Sequence, residues 1–173
     1  QILPNLAYGD AVSNEAIHLH KLFLKNNFKS IILVRKDHID NRVSKYCKHV
    51  EKFKIKDNSI VIYHYSIGSE LNDLVIKTKA KRIIRYHSIT PQEFFTNEDL
   101  EFSKLLRNGM ENLWDLTNSF QISVATSKYT KSELDICGFK NTTVISLPVS
   151  PLYFKSSLKK NIEGSLKSNI NFL

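Results

Sequence analysis

The feature that most narrows the fold of this chain is an alternation: short apolar, β-branched runs separated by longer segments with helical spacing. Residues 1–6 (QILPNL), 30–34 (SIILV), 59–65 (SIVIYHY), 81–87 (KRIIRYH), 120–126 (FQISVAT) and 142–147 (TTVISL) read as strands. Helical spacing fills the gaps: 11–26 around Ala16, Leu19, Leu22 and Phe23, and 68–79 around Leu71, Leu74 and Val75. It recurs over 97–118 around Leu105, Leu106, Leu113 and Trp114, and over 128–137, which Gly138 is placed to stop. Residues 35–57 read as irregular and basic, with eight Lys/Arg against four acids. Near-continuous Ile/Val/Leu strands alternating with helices predict a mostly parallel sheet covered on both faces, an α/β, Rossmann-like, doubly wound domain.

Composition removes other classes. With 173 residues, 42% of them hydrophobic, the chain suits one ordinary globular domain and no fibrous or disordered type. Its longest apolar runs, such as 31–34 and 59–63, fall far short of the ~20 residues of a membrane span. Only five glycines occur, and neither G-x-G-x-x-G nor G-x-x-x-x-G-K is among the motifs, so those two nucleotide loops drop out. The charge of +8 favours an anionic partner: a phosphate, a nucleic acid or an acidic lipid surface. Cys47 and Cys137 are far apart without metal-ligand spacing, which suggests a reducing, cytoplasmic setting. No secretory leader is legible, and an initiating Met is expected to have preceded Gln1. Residues 1–154 are expected to form the domain. The polar stretch that follows reads as a linker, and NINFL at 169–173 as the opening of another strand, so 155–173 points to a further domain.

Parallel sheets bind ligands at the carboxyl ends of their strands, so the candidates lie there. In the first loop Gly9 and Asp10 form either a ligand-contacting turn or an ordinary capped one. His64, Tyr65, Ser66 and Gly68 follow the third run; His64 and Tyr65 point opposite ways, so one is expected to pack inward and the other to line the cleft. His87 and Thr90 end the fourth run, and two histidines closing adjacent strands are a stronger signal than one. Ser127 after the fifth run is a helix cap or a cleft residue. His18, His20, His38 and His49 are expected to be solvated.

The segments LPNLAYGDAVSNEA, YHYSIGSE, RYHSITPQEFF and SKYTKSELDICGF with the later TTVISLPV resemble, in that order, the N-terminal domain of bacterial group-1 glycosyltransferases. The likeness runs from about Gln1 to Phe154. It implies half of a GT-B fold: the acceptor-side domain of a retaining enzyme that moves a sugar from a nucleotide-diphosphate donor to a glycan or lipid-linked hydroxyl, with no cofactor and no metal. It places Gly9 and Asp10 in the loop near the donor phosphates and the acceptor, where many relatives carry a Gly-Gly pair. His87 falls on the family's active-site histidine, which contacts the transferred sugar, and Ser127 on a cleft serine. Glu93 and Glu101 share the spacing of the family's donor-binding glutamates but lie in the wrong domain; the true pair is expected beyond Leu173, so this chain by itself is expected to be inactive.

Lys77, Lys79, Lys81, Arg82 and Arg85 form an acid-free run, either a solvated helix end or a patch for anionic membrane on the cytoplasmic face. A nucleic-acid role is disfavoured, since no stacking aromatics interleave the basic residues. The remaining alternatives are another GT-B-like enzyme, such as a nucleotide-sugar epimerase, and a stand-alone basic ligand-binding domain.

Overall fold

A computed structural model describes residues 1–148. The expected linker and strand over 155–173, and the end of the domain at 154, lie outside the described residues. Within them run α1 (Ala11–Lys25), β1 (Ile32–Val34), β2 (Cys47–His49), β3 (Ile60–Tyr65), α2 (Leu71–Lys77), β4 (Lys81–Tyr86), α3 (Leu100–Asp115), β5 (Ile122–Ala125), α4 (Lys128–Cys137) and β6 (Thr142–Val144).

All the strands pair in parallel. β3, β4, β5 and β6 form one ladder in chain order, and β1 with β2 another. The N-terminal segment joins them, because Ile2 bridges Leu33 on one side and Tyr63 on the other. Its main chain is bonded both ways: Ile2 N–H donates to the Ile62 carbonyl (2.8 Å), and Leu3 N–H to the Leu33 carbonyl (3.1 Å). The lateral order is therefore β2, β1, N-terminal segment, β3, β4, β5, β6, a Rossmann-like arrangement. The chain leaves the first segment toward one side and returns to build the other, which places the topological switch point between that segment and β3.

Two expectations about strands need correction. The stretch 1–6 pairs only at Ile2 and Leu6, because Pro4 has no N–H to offer a ladder and bends the chain between them. Within the supposedly irregular 35–57 lies β2, whose CKH sequence carries no apolar signal; an edge strand exposed at Lys48 needs none.

The helices start and stop for local reasons. Asp10 caps α1, its carboxylate accepting from Ser13 N–H at 2.8 Å, and Asp99 does the same for α3 through Phe102 N–H. Ser127 and Thr130 form a reciprocal capping box on α4, and Gly138 ends that helix at φ 93°, a left-handed turn that glycine adopts without strain.

Burial divides into two clusters. One surrounds Tyr63, Tyr65, Ile84, Tyr86, Leu106, Leu113 and Leu134, under α2, α3 and α4. The other, under α1, holds Leu3, Leu6, Ala16, Ile17, Ile32 and Val34. Helices thus cover both faces, as the sequence predicts. The inward stripes shift, however: α1 buries Ser13, Glu15, Ala16 and Ile17 and leaves Leu22 exposed, and α3 buries Leu106 and Leu113 while Leu105 and Trp114 face out.

Candidate functional site

Strand alternation sends Tyr63, Tyr65 and Tyr86 to the α3 side and His64, Arg85 and His87 to the α1 side. There they meet Glu15 of α1. Arg85 grips this carboxylate with its Nη2 2.6 Å from Oε1 and its Nε 3.1 and 3.2 Å from the two oxygens, and its Nη1 donates to the Ala125 carbonyl. Both partners are buried, at 3% and 4% exposure. A buried ion pair needs such complete bonding, since stripping water from two charges costs several kcal/mol per ion.

The histidines complete the cluster. His87 Nε2 lies 3.4 Å from Glu15 Oε2 and 3.1 Å from His64 Nδ1, and the two rings stack with centroids 5.3 Å apart. His64 Nε2 faces Gln1 Oε1 at 2.9 Å. Burial holds His64 well below the usual imidazole range, with the neighbouring His87 adding to the effect. Burial, helped by Arg85, brings His87 down to about 4, while nearby Asp10 works the other way. Both rings are thus neutral at pH 7.

Glu15, His64 and His87 offer three ligand atoms within 4.8 Å of one another. A metal ion there would sit beside the Arg85 guanidinium, which already takes both carboxylate oxygens. The donor set is closed by hydrogen bonds and does not fit a cation.

The other expected site residues separate into groups. Gly9, at φ 85°, opens onto free space, and a Cβ there would meet nothing within 4 Å. Asp10 is the α1 cap, and its Oδ2 also accepts from the Ser13 hydroxyl at 2.6 Å. His64 and Tyr65 do not divide between core and cleft: both are fully buried, and Tyr65 donates to the Gly109 carbonyl at 2.6 Å. Gly68 is a packing glycine, since a Cβ would lie 3.0 Å from the Gly109 nitrogen. Ser66 is half-buried and Thr90 exposed. Ser127 is a helix cap. Ser88, directly after His87, has φ 71°, uncommon for a serine, and its hydroxyl donates to Glu133 at 2.9 Å. That bond anchors the turn in which β4 ends.

The basic run also changes. Arg85 belongs to the interior, 3% exposed, and not to a surface patch. Arg82 turns its guanidinium onto the Ile76 and Thr78 carbonyls at the end of α2. Lys77, Lys79 and Lys81 remain exposed, and Lys77 pairs with Asp73. Among the described residues no helix is long and apolar enough to cross a membrane. Two surface concavities, of about 470 and 290 Å³, are lined by residues 54–58 and by Cys47–His49 with Lys52 and Phe53, and neither includes His64 or His87.

Glu15, Arg85 and Gln1 escape a reading of the sequence aimed at strand ends. Arg85 could have been found: a cation inside the apolar run IIRY of a strand covered on both faces requires a buried anion. Glu15 announces itself less, standing one residue before Ala16 and Ile17 on a helix with other acceptable faces. Compared with family models, curated proteins and solved structures, the chain matches none.

Proposed function

We propose that this chain is the acceptor-side, Rossmann-like domain of a retaining glycosyltransferase acting in the cytoplasm, which moves a sugar from a nucleotide-diphosphate donor to the hydroxyl of a glycan or glycolipid. The observation that carries the reading is the position of His87. It directly follows β4, one strand from the switch point, against Glu15 of α1 and under the influence of Asp10, the cap of that helix, and it is held by a buried network. The order of the four sequence segments supports the same role.

In this reading His87 touches the transferred sugar, and the Gly9–Asp10 turn borders the acceptor. Asp10 contributes through the α1 cap. Full burial removes His64 from direct contact and makes it a positioning residue. The donor diphosphate is assigned to a second domain outside this chain.

Product formation from nucleotide-sugar and acceptor, measured on the full-length enzyme, tests the proposal. His87→Ala should lower kcat at least tenfold, about 1.4 kcal/mol of barrier, when assayed at a temperature at which the variant remains folded. The 173-residue chain alone should show no transfer. Unchanged turnover in the variant rejects the role of His87. A nucleotide-sugar epimerase would convert its donor without an acceptor, so the same assay lacking acceptor separates the two enzymes.

A further inference from the structure

Part of one sheet face is bare, and the topology explains why. β3, β4, β5 and β6 follow one another in a single lateral direction, so right-handed crossovers put α2, α3 and α4 together on one side. The step from the N-terminal segment to β1 runs the opposite way and puts α1 on the other side, over Leu3, Ile32 and Val34. Among the described residues, no helix lies beside α1 over β4, β5 and β6. Parallel sheets in α/β proteins are covered on both faces, and the side chains here are apolar enough to need it. Ile60 and Ile62 alternate with the core residues Val61 and Tyr63, and Ile83 with Ile84; Ile122 and Val124 share their side through the pairing of Ile83 with Ile122. Ile60 is 61% exposed and Ile122 45%, while Ile62, Ile83 and Val124 are half-buried.

The bare strip has a wall. Glu15 turns from α1 toward Arg85 of β4, so Leu19 and Leu22, four and seven residues on, line the same flank of that helix, and Leu22 is exposed. α1 stands above the sheet by the width of a helix, about 10 Å. Such a step suits a second helix lying beside α1. A flat bilayer or another sheet would rest on α1 and leave the floor unfilled. Charge narrows the choice further. The strands present Lys81 and Arg85 to this side; Arg85 is paired with Glu15, whereas Lys81 is exposed beside Ile60 at the amino edge. Lys29, Lys56 and Lys140, also exposed at that edge, outnumber Asp57. Residues 149–173 hold four lysines against one glutamate, and a second copy would bring another Lys81, so neither complements this rim.

We infer that the strip between α1 and β6 is a docking groove for an amphipathic partner helix with an aliphatic stripe and acidic flanks. It occupies the amino half of the strands, away from His87, and does not depend on the transferase reading.

Isoleucine-methyl spectra of the 173-residue chain test this. A neutral nitroxide in solution should broaden Ile60 and Ile122 and spare the buried Ile32 and Ile84. If Ile60 and Ile122 are spared too, residues 149–173 or a second copy already cover the strip, and the inference fails. The probe is a synthetic amphipathic peptide of about five turns, with leucines on one face and glutamates on the flanks, beside a counterpart with lysines in their place. The glutamate peptide should shift Ile60, Ile83 and Ile122 and restore their signals in nitroxide. Ile136, exposed on α4, should not move. The lysine peptide should bind roughly tenfold more weakly, and Lys81→Glu should reverse the order. Ile122→Asp, at an exposed position, should abolish the response; if that variant does not fold, Ile60→Asp takes its place. Equal response to both peptides, response to neither, an order that survives Lys81→Glu, or the same shifts with phosphatidylglycerol vesicles overturns the inference.

Discussion

The two faces of one pair of strands differ as much as any two regions of this molecule. Toward α3, β3 and β4 present Tyr63, Tyr65, Ile84 and Tyr86, which pack among leucines, and Tyr63 donates its hydroxyl to Asn72 and Tyr65 to the Gly109 carbonyl. Toward α1 the intervening residues His64, Arg85 and His87 build a polar cluster closed by Glu15. Period-two alternation makes this division possible: the same backbone serves an apolar core on one side and a buried polar cluster on the other. The aromatic face holds the strands while the polar face holds a proton arrangement. A change on either side should leave a distinct signature.

The largest effect should come from unbalancing the polar face. Glu15→Leu or Arg85→Met alone strands a buried charge and should cost roughly 3–5 kcal/mol in urea unfolding. The double variant should recover most of that loss, because the two desolvation costs disappear together. Additive losses would mean that the pair is not the unit described here.

Acidification comes next. An unfolded His87 takes its proton near 6.5, but the folded one only at about 4. Between those values the unfolded chain binds more protons, so stability falls as pH drops through the window, by about 1.4 kcal/mol per pH unit at most for this group. His64, also lowered, adds in the same direction. Melting temperatures from pH 7 to 5 should fall, and His87→Gln should flatten the slope. A profile that is level in the wild type would contradict the neutral, buried cluster.

The aromatic face offers the smallest perturbation. Gly109 sits in α3 where a Cβ would lie 2.6 Å from the Gly68 nitrogen. In an exposed helix Gly→Ala stabilises by up to ~1 kcal/mol. Here Gly109→Ala should destabilise by about 1–3 kcal/mol because backbone must give way. It should leave the fall in melting temperature from pH 7 to 5 unchanged, which is what separates the two faces.

Much of the architecture is legible from local pattern. The apolar runs at β3, β4 and β5, the cap at Ser127 and the stop at Gly138 each follow from side chains a few residues apart, whereas the long helix expected from residue 97 starts only after its cap Asp99. The edge strand β2 escapes because a half-exposed edge needs no apolar signal, and the first strand is broken by a proline whose effect depends on its neighbours. His87 stands out because strand ends are where a parallel sheet binds. Glu15 and Gln1 do not, being 70 and 63 positions from the Arg85 and His64 they bond.

The sequence by itself thus determined most of the element types and the parallel sheet, since these depend on period, propensity and capping within short windows. The tertiary structure alone decided that Arg85 is an interior ion-pair partner and not a surface cation, that His64 is fully buried, and that burial lowers the His87 pKa. Those outcomes rest on burial and on partners distant in the chain, because desolvation and charge pairing depend on what folding brings together.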